Sequence, residues 1–407
     1  MVDIRFITDD EAPAFARAVS LGFGNDLTDR PDFLEGMVSF FPRATSMAAF
    51  DGDRIVATFG SHDLELTVPG DVTVPMAGTT VVTVQPTHRR RGILTRMMRR
   101  HLGQAIERHQ PLAGLWASEE TIYRRFGYGV AAEGDEIEIS CDRVTATAPP
   151  ANATVRFLEE AEARVVLPAV FDRVRPTVAG LFARSSQWWD HRHFRDPEWG
   201  RNGASRRRFV VAARDGDDVG YAMYRQREKW DDHGSVGKVE VVELVAVDDD
   251  ARRALWSLLS TVDLYPHLEW WNAPVDEPVR LEVDRFRRVS ARRHDSLWVR
   301  LLDLPRALAA RRYEHPGSVT LGVVDPYLGR GGTVRLDVDD DGGAACEPTT
   351  AAPDVTLDVA DLGSLYLGGG SALALARAGR LTGDQGAVDL VDDLFRTRRA
   401  PYCIEIF

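Results

Sequence analysis

Cysteine is scarce in this sequence, and its scarcity excludes two kinds of stabilised fold. The three cysteines, Cys141, Cys346 and Cys403, are odd in number and widely spaced. Such a set fits neither a disulfide framework nor a zinc site. Because chains without disulfides are typical of reducing compartments, the sequence predicts a cytoplasmic protein that binds no metal.

The sequence also lacks an excess of positive charge. Its 407 residues carry a formal net charge of -12 at pH 7. A nucleic-acid-binding protein usually presents a basic surface, so this charge argues against nucleic acid as a partner. An acidic surface concentrates cations near it, and the composition is therefore compatible with a cationic partner.

Secretory and membrane-spanning segments are missing as well. The first residues, MVDIRFITDDEAPAF, lack the basic stretch and following apolar core of a secretory signal. No apolar run approaches the roughly 20 residues that a helix needs to cross a bilayer, so we expect no membrane partner. A chain of 407 residues is too long for one core, which predicts two or three domains.

The first part of the chain alternates strand and helix patterns. DIRFIT predicts a strand, and Thr8 and Glu11 are spaced as a capping box before a helix. Two strands then surround the hairpin signal Asp51-Gly52, and a second turn at 69–71 precedes the strand TTVVTV. A helix and the short strand LAGLWAS follow, which predicts a mixed α/β sheet. The apolar face of that helix would consist of Leu94, Met98, Leu102 and Ala105.

The pattern of the N-terminal part recurs later in the chain. DIRFITDDEA (3–12) resembles TVRFLEEAEA (154–163), and AAFDGDRIVA (48–57) resembles AARDGDDVGY (212–221). Both matches precede a strand and a helix in the same order, which predicts a duplicated domain. A chance likeness of short strand and turn motifs is the alternative interpretation.

The two copies differ where the strand meets the helix. The first copy has QPTHRRRG at this point, whereas the second has DDDARR, with Asp248 to Asp250. An anionic ligand would be attracted to the first sequence and repelled by the second. We therefore expect an anionic ligand in the first copy alone.

The pattern changes again near residue 284. SVTLGVVD, GTVRLDVDD and DVTLDVA predict strands, and a hairpin turn is expected at 339–343. DLGSLYLGGGSALALARAGRLTG predicts a helix, a loop and a second helix. The expected domains are thus two α/β domains at 1–149 and 150–283 and an α+β domain at 284–407.

The segment VVTVQPTHRRRGILTRMM places three arginines and a glycine between a strand and a helix. A phosphate site needs positive charge, a close approach of the backbone and the free N–H groups of a helix start. A solvated surface cluster and a nucleic-acid patch are the alternatives, and the acidic composition disfavours the second. The order strand, arginines, glycine and helix favours phosphate.

These residues resemble a known family. The stretch from Val82 to Leu94 is similar to the acetyl-CoA loop of GNAT acyltransferases, usually written R/Q-x-x-G-x-G/A. Leu94 departs from that pattern, and the same departure is found in the Eis (enhanced intracellular survival) acetyltransferases of actinobacteria. SEETIYRRFGYG, SSQWWDHRHFRDPE and DLGSLYLGGGSALALARAGR resemble further segments of that family in the same order. The resemblance covers almost the whole chain.

The resemblance implies two fused GNAT domains, the second without a CoA site, followed by a sterol-carrier-protein-like domain. It also implies an acetyl-CoA-dependent N-acetyltransferase that forms a homohexamer. Its substrates would be bulky cationic amines, such as aminoglycosides or polyamines, acetylated at several positions. A protein lysine is the alternative substrate, and a lipid- or acyl-CoA-binding carrier is the alternative function.

The donor site implied by the resemblance lies on the strand and the arginine loop. A backbone N–H of the strand that carries Val82 and Val84 would meet the thioester carbonyl. Arg91 would reach either the 3′-phosphate or solvent. The other residues implied for the donor are Arg89, Arg90, Gly92, Ile93 and Ser118.

Tyr123 matches the general acid of the family, and a phenol with a pKa near 10 can protonate a departing thiolate. A packed aromatic is the structural alternative, and Tyr128 is the competitor for the role. The α-carboxylate of Phe407 matches the base. Its reference pKa of roughly 3.5 requires a raised pKa, a water relay or a mainly electrostatic role.

The acceptor pocket of the family is lined after the first helix, where Phe23 and Asp26 lie. The glycine- and aspartate-rich segment around them is equally compatible with an ordinary surface loop. Glu405 would add negative charge towards a cationic amine. His88 and His101 are assigned no catalytic role, and His101 is expected to be packed or solvated on its helix.

Overall fold

The computed structural model describes residues 2–25, 30–41, 45–149 and 151–407, with the side chain of Pro31 left out. Within these residues no helix is both long and apolar enough to cross a membrane. The helices are α1 (Ala12–Gly22), α2 (Pro31–Phe40), α3 (Ile93–Glu107), α4 (Glu120–Tyr123), α5 (Glu160–Val174), α6 (Ser186–Trp188), α7 (Asp249–Leu259), α8 (Leu304–Ala310), α9 (Val359–Leu365), α10 (Ala372–Arg377) and α11 (Gln385–Phe395).

In the described part of the chain, the strands form three larger sheets and one short hairpin. In chain order the strands are β1 (Asp3–Phe6), β2 (Met47–Asp51), β3 (Arg54–Val68), β4 (Val72–Val84), β5 (Leu112–Trp116), β6 (Gly129–Val130), β7 (Glu133–Ser140), β8 (Thr154–Leu158), β9 (Arg208–Arg214), β10 (Asp217–Arg227), β11 (Trp230–Asp231), β12 (Gly234–Ser235), β13 (Lys238–Ala246), β14 (His267–Ala273), β15 (Val289–Asp295), β16 (Leu297–Leu301), β17 (Gly317–Val324), β18 (Gly332–Val338), β19 (Ala344–Pro348), β20 (Val355–Asp358) and β21 (Leu381–Gly383).

The first sheet has the strand order β1-β2-β3-β4-β5-β16-β6, with β4 and β5 parallel. Successive side chains of a strand point to opposite faces, and helices cover both faces. Phe50 on β2 belongs to the apolar cluster around Phe15 of α1. Its neighbour Ala49 belongs to the cluster around Met98 of α3. The predicted strand, helix, hairpin, helix and strand are therefore confirmed.

The start of the first helical segment follows the predicted capping box. The backbone N–H of Thr8 donates to Glu11 Oε2 at 2.9 Å. Arg5 on β1 also donates to this carboxylate at 2.7 Å, which ties the strand to the helix start.

The second sheet has the order β15-β7-β14-β13-β10-β9-β8 and forms a separate compact unit, 133–295 with 402–404. The succession β8, α5, β9, β10, β13, α7, β14 repeats the succession β1, α1, β2, β3, β4, α3, β5. Each succession has its parallel pair at the corresponding place, β13 with β14 and β4 with β5. The predicted duplication is confirmed by this repetition.

Two strands near the predicted domain limits pair away from their sequence neighbours. β16 lies between β5 and β6 of the first sheet, although almost 170 residues separate it from β6 in the chain. β7 lies between β15 and β14 of the second sheet. The return of β16 was not predicted, and the limits at 149/150 and 283/284 stay predictions.

The third sheet has the order β19-β18-β17-β20-β21 and belongs to the same compact unit as the first. The predicted turn joins β18 and β19, where Asp339 Oδ1 accepts the N–H groups of Asp341 at 3.1 Å and Gly343 at 2.7 Å. The predicted helix, loop and helix are α9, the glycine loop and α10. α9 packs on β6 so closely that a Cβ on Gly129 would lie 1.8 Å from Ala360 O.

Candidate active site

β4 diverges from β5 after a short stretch of pairing. The two strands pair only from Met76 to Gly78, and β4 then continues to Val84. Its register against β3 shifts near Val81, whose φ is 48°. A positive φ is strained for a β-branched residue. Thr58 stabilises this backbone, because its hydroxyl donates to Val81 O at 2.8 Å. The diverging segment carries Val82 and Val84.

α3 begins at an open, left-handed glycine. Gly92 precedes the helix with a φ of 71°, and apart from its two chain neighbours no described residue has an atom within 4 Å of a Cβ built on it. The first N–H groups of an α-helix have no acceptor inside the helix, and the helix dipole is positive at this end. A backbone of this kind can bind an anion such as a phosphate group.

A cavity of about 460 Å³ lies between β4, the start of α3 and the segment around α4. Every residue implied for the donor by the family resemblance lines it, together with Tyr123 and Phe23. Arg91 is not part of the lining. The lining consists of Gly22, Phe23, Val82, Thr83, Val84, His88, Arg89, Arg90, Gly92, Ile93, Leu94, Thr95, Ser118, Glu119, Ile122, Tyr123 and Arg125.

Arginines on two elements carry positive charge in the cavity, and Glu119 carries negative charge. Arg89 and Arg90 are exposed before α3, and Arg89 Nε donates to Val84 O at 3.3 Å. Arg125 contributes a third guanidinium from the turn that follows α4. Sequence reasoning missed Arg125, although it belongs to the quoted segment SEETIYRRFGYG. His88 also lines the cavity; it is buried, and its ring nitrogens lie 2.8 Å from Thr87 Oγ1 and 3.2 Å from Asp51 Oδ2.

Tyr123 is better placed than Tyr128 to act in this cavity. It is buried, and that burial raises the pKa of its phenol, as does Glu119, while a hydrogen bond with Ser118 lowers it. Tyr123 therefore carries its proton at neutral pH. Tyr128 does not line the cavity, and its hydroxyl lies 3.1 Å from Oγ1 of Thr79, which is also outside the lining.

The last residues of the chain lie against β4. A Cβ on Gly78 would be 3.2 Å from Cε2 of Phe407, so this ring packs where the pairing of β4 with β5 ends. Neither Phe407 nor Glu405 lines the cavity, and Glu405 is buried. The meeting of the Phe407 carboxylate with Tyr123 stays a prediction. Asp26 lies outside the described residues.

The corresponding helix of the second unit is α7, and a side chain of the chain itself occupies an N–H group at its start. Asp248 precedes α7, and its Oδ1 accepts the N–H of Ala251 at 2.9 Å. Arg214 binds the other oxygen of Asp248 at 2.6 Å. Negative charge thus lies where the first copy has open backbone, so this helix start is unsuited to an anionic ligand.

Comparisons with protein families match all three parts of the chain. Residues 3–131 and 180–301 match two families that are both described as "Acetyltransferase (GNAT) domain". Residues 304–404 match the family described as "Sterol carrier protein domain". The α/β and α+β architecture expected from the sequence is therefore confirmed.

Comparisons with whole proteins agree with these family matches. An "uncharacterized N-acetyltransferase" of Streptomyces avermitilis is 41% identical over 361 residues, 88% of each chain. The N-acetyltransferase Eis of Mycobacterium tuberculosis is 36% identical over 335 residues, 81% of this chain and 80% of that one. The crystal structure of Eis1 from Mycobacterium abscessus covers 100% of both chains with a TM-score of 0.85 and 31% identity. The chain belongs to the Eis family of GNAT N-acetyltransferases.

Proposed function

We propose that the enzyme transfers the acetyl group of acetyl-CoA to amines of bulky cationic molecules, aminoglycosides foremost. The observation that carries this proposal is the single cavity that combines an open helix start, three arginines and a buried, protonated tyrosine. The net charge of -12 supports a cationic acceptor, because it raises the local concentration of cations.

The residues around Gly92 suit the pyrophosphate of acetyl-CoA. Arg89 and Arg90 supply positive charge, and the first N–H groups of α3 supply donors that need no side chain. The open space at Gly92 allows a phosphate group to approach the backbone. Acetyl-CoA supplies an activated thioester, and an N–H of the diverging segment at Val82 would polarise its carbonyl.

Transfer then needs one proton donor and one proton acceptor. The amine lone pair forms the C–N bond while the C–S bond breaks, and the departing thiolate takes the phenolic proton of Tyr123. The proton lost by the amine passes to water beside the carboxylate of Phe407, and Tyr123 regains its proton from the solvent. Because the reference pKa of that carboxylate is roughly 3.5, its role is mainly to stabilise positive charge on the amine.

The acceptor would enter beside Phe23. This ring is 49% exposed and lines the cavity, so it offers apolar surface to a sugar ring or an alkyl chain. Glu119 lines the same cavity and would attract an ammonium group. Asp26 and Glu405 are further proposed contacts of the amine.

Replacement of Tyr123 by Phe tests the proposed acid. We expect kcat to fall about 100-fold, the usual contribution of a general acid, while the Kd for CoA stays within about twofold. Thiol release with an aminoglycoside measures turnover, and calorimetry with CoA measures binding. Tyr128→Phe is the matched control and should keep the wild-type kcat.

Two results would contradict parts of the proposal separately. Full turnover by Tyr123→Phe would remove the general acid. Thiol release by the wild-type enzyme with a lysine peptide but with no aminoglycoside would overturn the substrate class and leave the acid in place.

A further inference from the structure

A loop of the sterol-carrier-like domain contacts the helix that starts at the cavity. The hydroxyl of Tyr327 donates to Thr95 O at 2.6 Å. Arg99, one turn further along α3, donates from Nη2 to Tyr327 O at 3.3 Å. Thr95 lies in the first turn of α3 and lines the cavity. Tyr327 is therefore bonded directly to the backbone turn that supplies the free N–H groups.

The ring of the same tyrosine contacts the turn that follows Tyr123. Tyr327 meets Phe126 edge-on, with ring centroids 5.0 Å apart and an interplanar angle of 73°. Phe126 ends the short turn that begins at Arg124, directly after Tyr123, and that includes the cavity residue Arg125. One side chain thus joins the anion-binding helix turn to the segment of the proposed acid.

Tyr327 is held in place by a buried ion pair. Asp325 Oδ1 accepts the N–H groups of Tyr327 at 3.2 Å and Leu328 at 3.1 Å. Its other oxygen accepts a bond of 2.6 Å from Arg300, whose side chain is fully buried. The second terminal nitrogen of Arg300 donates to Phe126 O. The guanidinium of Arg300 is therefore hydrogen-bonded both to the loop that carries Tyr327 and to the turn after Tyr123.

We propose that Tyr327 is a positioning residue for the acetyl donor. Its hydroxyl fixes the first turn of α3, and its ring fixes the turn that follows Tyr123. The third domain would then set the separation between the pyrophosphate-binding backbone and the proton donor. This inference rests on the proposed use of acetyl-CoA.

Substitutions of Tyr327 separate its two contacts. Tyr327→Phe removes the hydroxyl and with it the hydrogen bond to Thr95, while the ring stays in place. We therefore expect the Kd for CoA to rise about 3- to 10-fold, in the range of one lost hydrogen bond. The kcat should stay within about twofold and the KM for the amine should not change. Tyr327→Leu also removes the contacts of the ring with Phe126 and with the Arg99 guanidinium. It should lower kcat by about 10-fold because the turn after Tyr123 is released.

Tyr366→Phe is the matched control. Its hydroxyl also donates to a backbone carbonyl, Ala307 O at 2.9 Å, and neither residue lines the cavity. We expect a loss of thermal stability with an unchanged Kd for CoA. For all three variants, calorimetry with CoA measures the Kd, and steady-state kinetics measure kcat and the KM for the amine.

The outcomes distinguish this inference from the function on which it rests. A wild-type enzyme that does not bind CoA would overturn both. Wild-type binding together with an unchanged Kd in Tyr327→Phe would overturn the positioning role alone. An equal rise of the Kd in Tyr366→Phe would mean that general loosening, rather than the bond to Thr95, weakens binding, and the inference would again be wrong.

Discussion

His101 illustrates how a buried residue links pH to stability. Its Nε2 lies 2.8 Å from Thr79 Oγ1, and burial, with a smaller effect of Arg108, lowers the pKa of its imidazole to about 3. The unfolded chain protonates this imidazole near pH 6.5. The contribution of this neutral imidazole to the free energy of unfolding is therefore complete above about pH 6.5. It is lost as the pH falls towards 3, because the unfolded state binds the proton first.

Replacement of His101 by Gln should reduce this loss. Gln can keep a polar contact with Thr79 and does not titrate. The wild-type free energy of unfolding should fall by up to about 1.4 kcal/mol more than that of the variant for each pH unit below 6.5. Urea unfolding at pH 7 and pH 5 measures the difference. His233→Gln, at an exposed site, should keep the wild-type slope, and an equal slope in His101→Gln would refute the assignment.

The positions of individual residues could be predicted from the sequence only where one continuous segment determines them. The arginines and Gly92 form a continuous motif, so their place in one cavity followed from the sequence. The bonds of Thr79 to His101 and Tyr128 span 22 and 49 residues, and no short pattern encodes them. Arg125 was missed because an arginine after an aromatic helix face is equally typical of a solvated surface.

At the scale of elements, the start of α3 depends on one glycine. The methyl group added in Gly92→Ala should meet no steric clash, because the space around it is open. The left-handed φ of 71° should cost about 1 kcal/mol of stability. The methyl group would also occupy the approach to the backbone, so we expect the Kd for CoA to rise about 10-fold or more.

Gly103 offers a control within the same helix. Apart from its chain neighbours and the nearby backbone of α3, no described residue has an atom within 4 Å of a Cβ built there, and Gly103 lies in the interior of the helix. Gly103→Ala should therefore raise the free energy of unfolding by about 0.5–1 kcal/mol and leave CoA binding unchanged. Calorimetry and urea unfolding measure both variants. Wild-type affinity in Gly92→Ala would exclude the backbone cradle.

The elements themselves were largely predictable, but their partners were less so. Alternating and helical patterns predicted β1 to β5, α1 and α3 because each lies within one continuous stretch. SLWVRL also has a strand pattern, yet nothing in it indicates that β16 enters the first sheet between β5 and β6. Strand patterns specify a buried face and leave the pairing partner open.

For the whole molecule, the last residue offers a test of the proposed base. One glycine added after Phe407 would move the α-carboxylate by about 3.5 Å while its charge is kept. We expect kcat to fall about 100-fold, whereas the Kd for CoA should not change. Ile406→Val, at a residue that is 43% exposed, keeps the carboxylate in place and should turn over normally. Normal turnover of the extended enzyme would exclude the carboxylate.

The overall plan was predictable because it is repeated. The same succession of strand and helix patterns occurs twice, which indicated a duplicated domain. The first copy has arginines where the second has aspartates, which indicated that only the first binds an anion. The contact of the third domain with the elements that line the cavity was not predictable. It depends on Tyr327 meeting Thr95, and 232 residues separate the two partners in the chain.

The late strand β16 has a consequence for synthesis on the ribosome. β5 and β6 are joined in the first sheet only through β16, which ends at Leu301. At about 5–20 residues per second, the ribosome needs roughly 10–30 s to continue from the end of β6 to that strand. During this interval the nascent chain has no β16, so the edges of β5 and β6 that pair with this strand are unpaired. Catalytic competence in this enzyme is therefore a late event in translation.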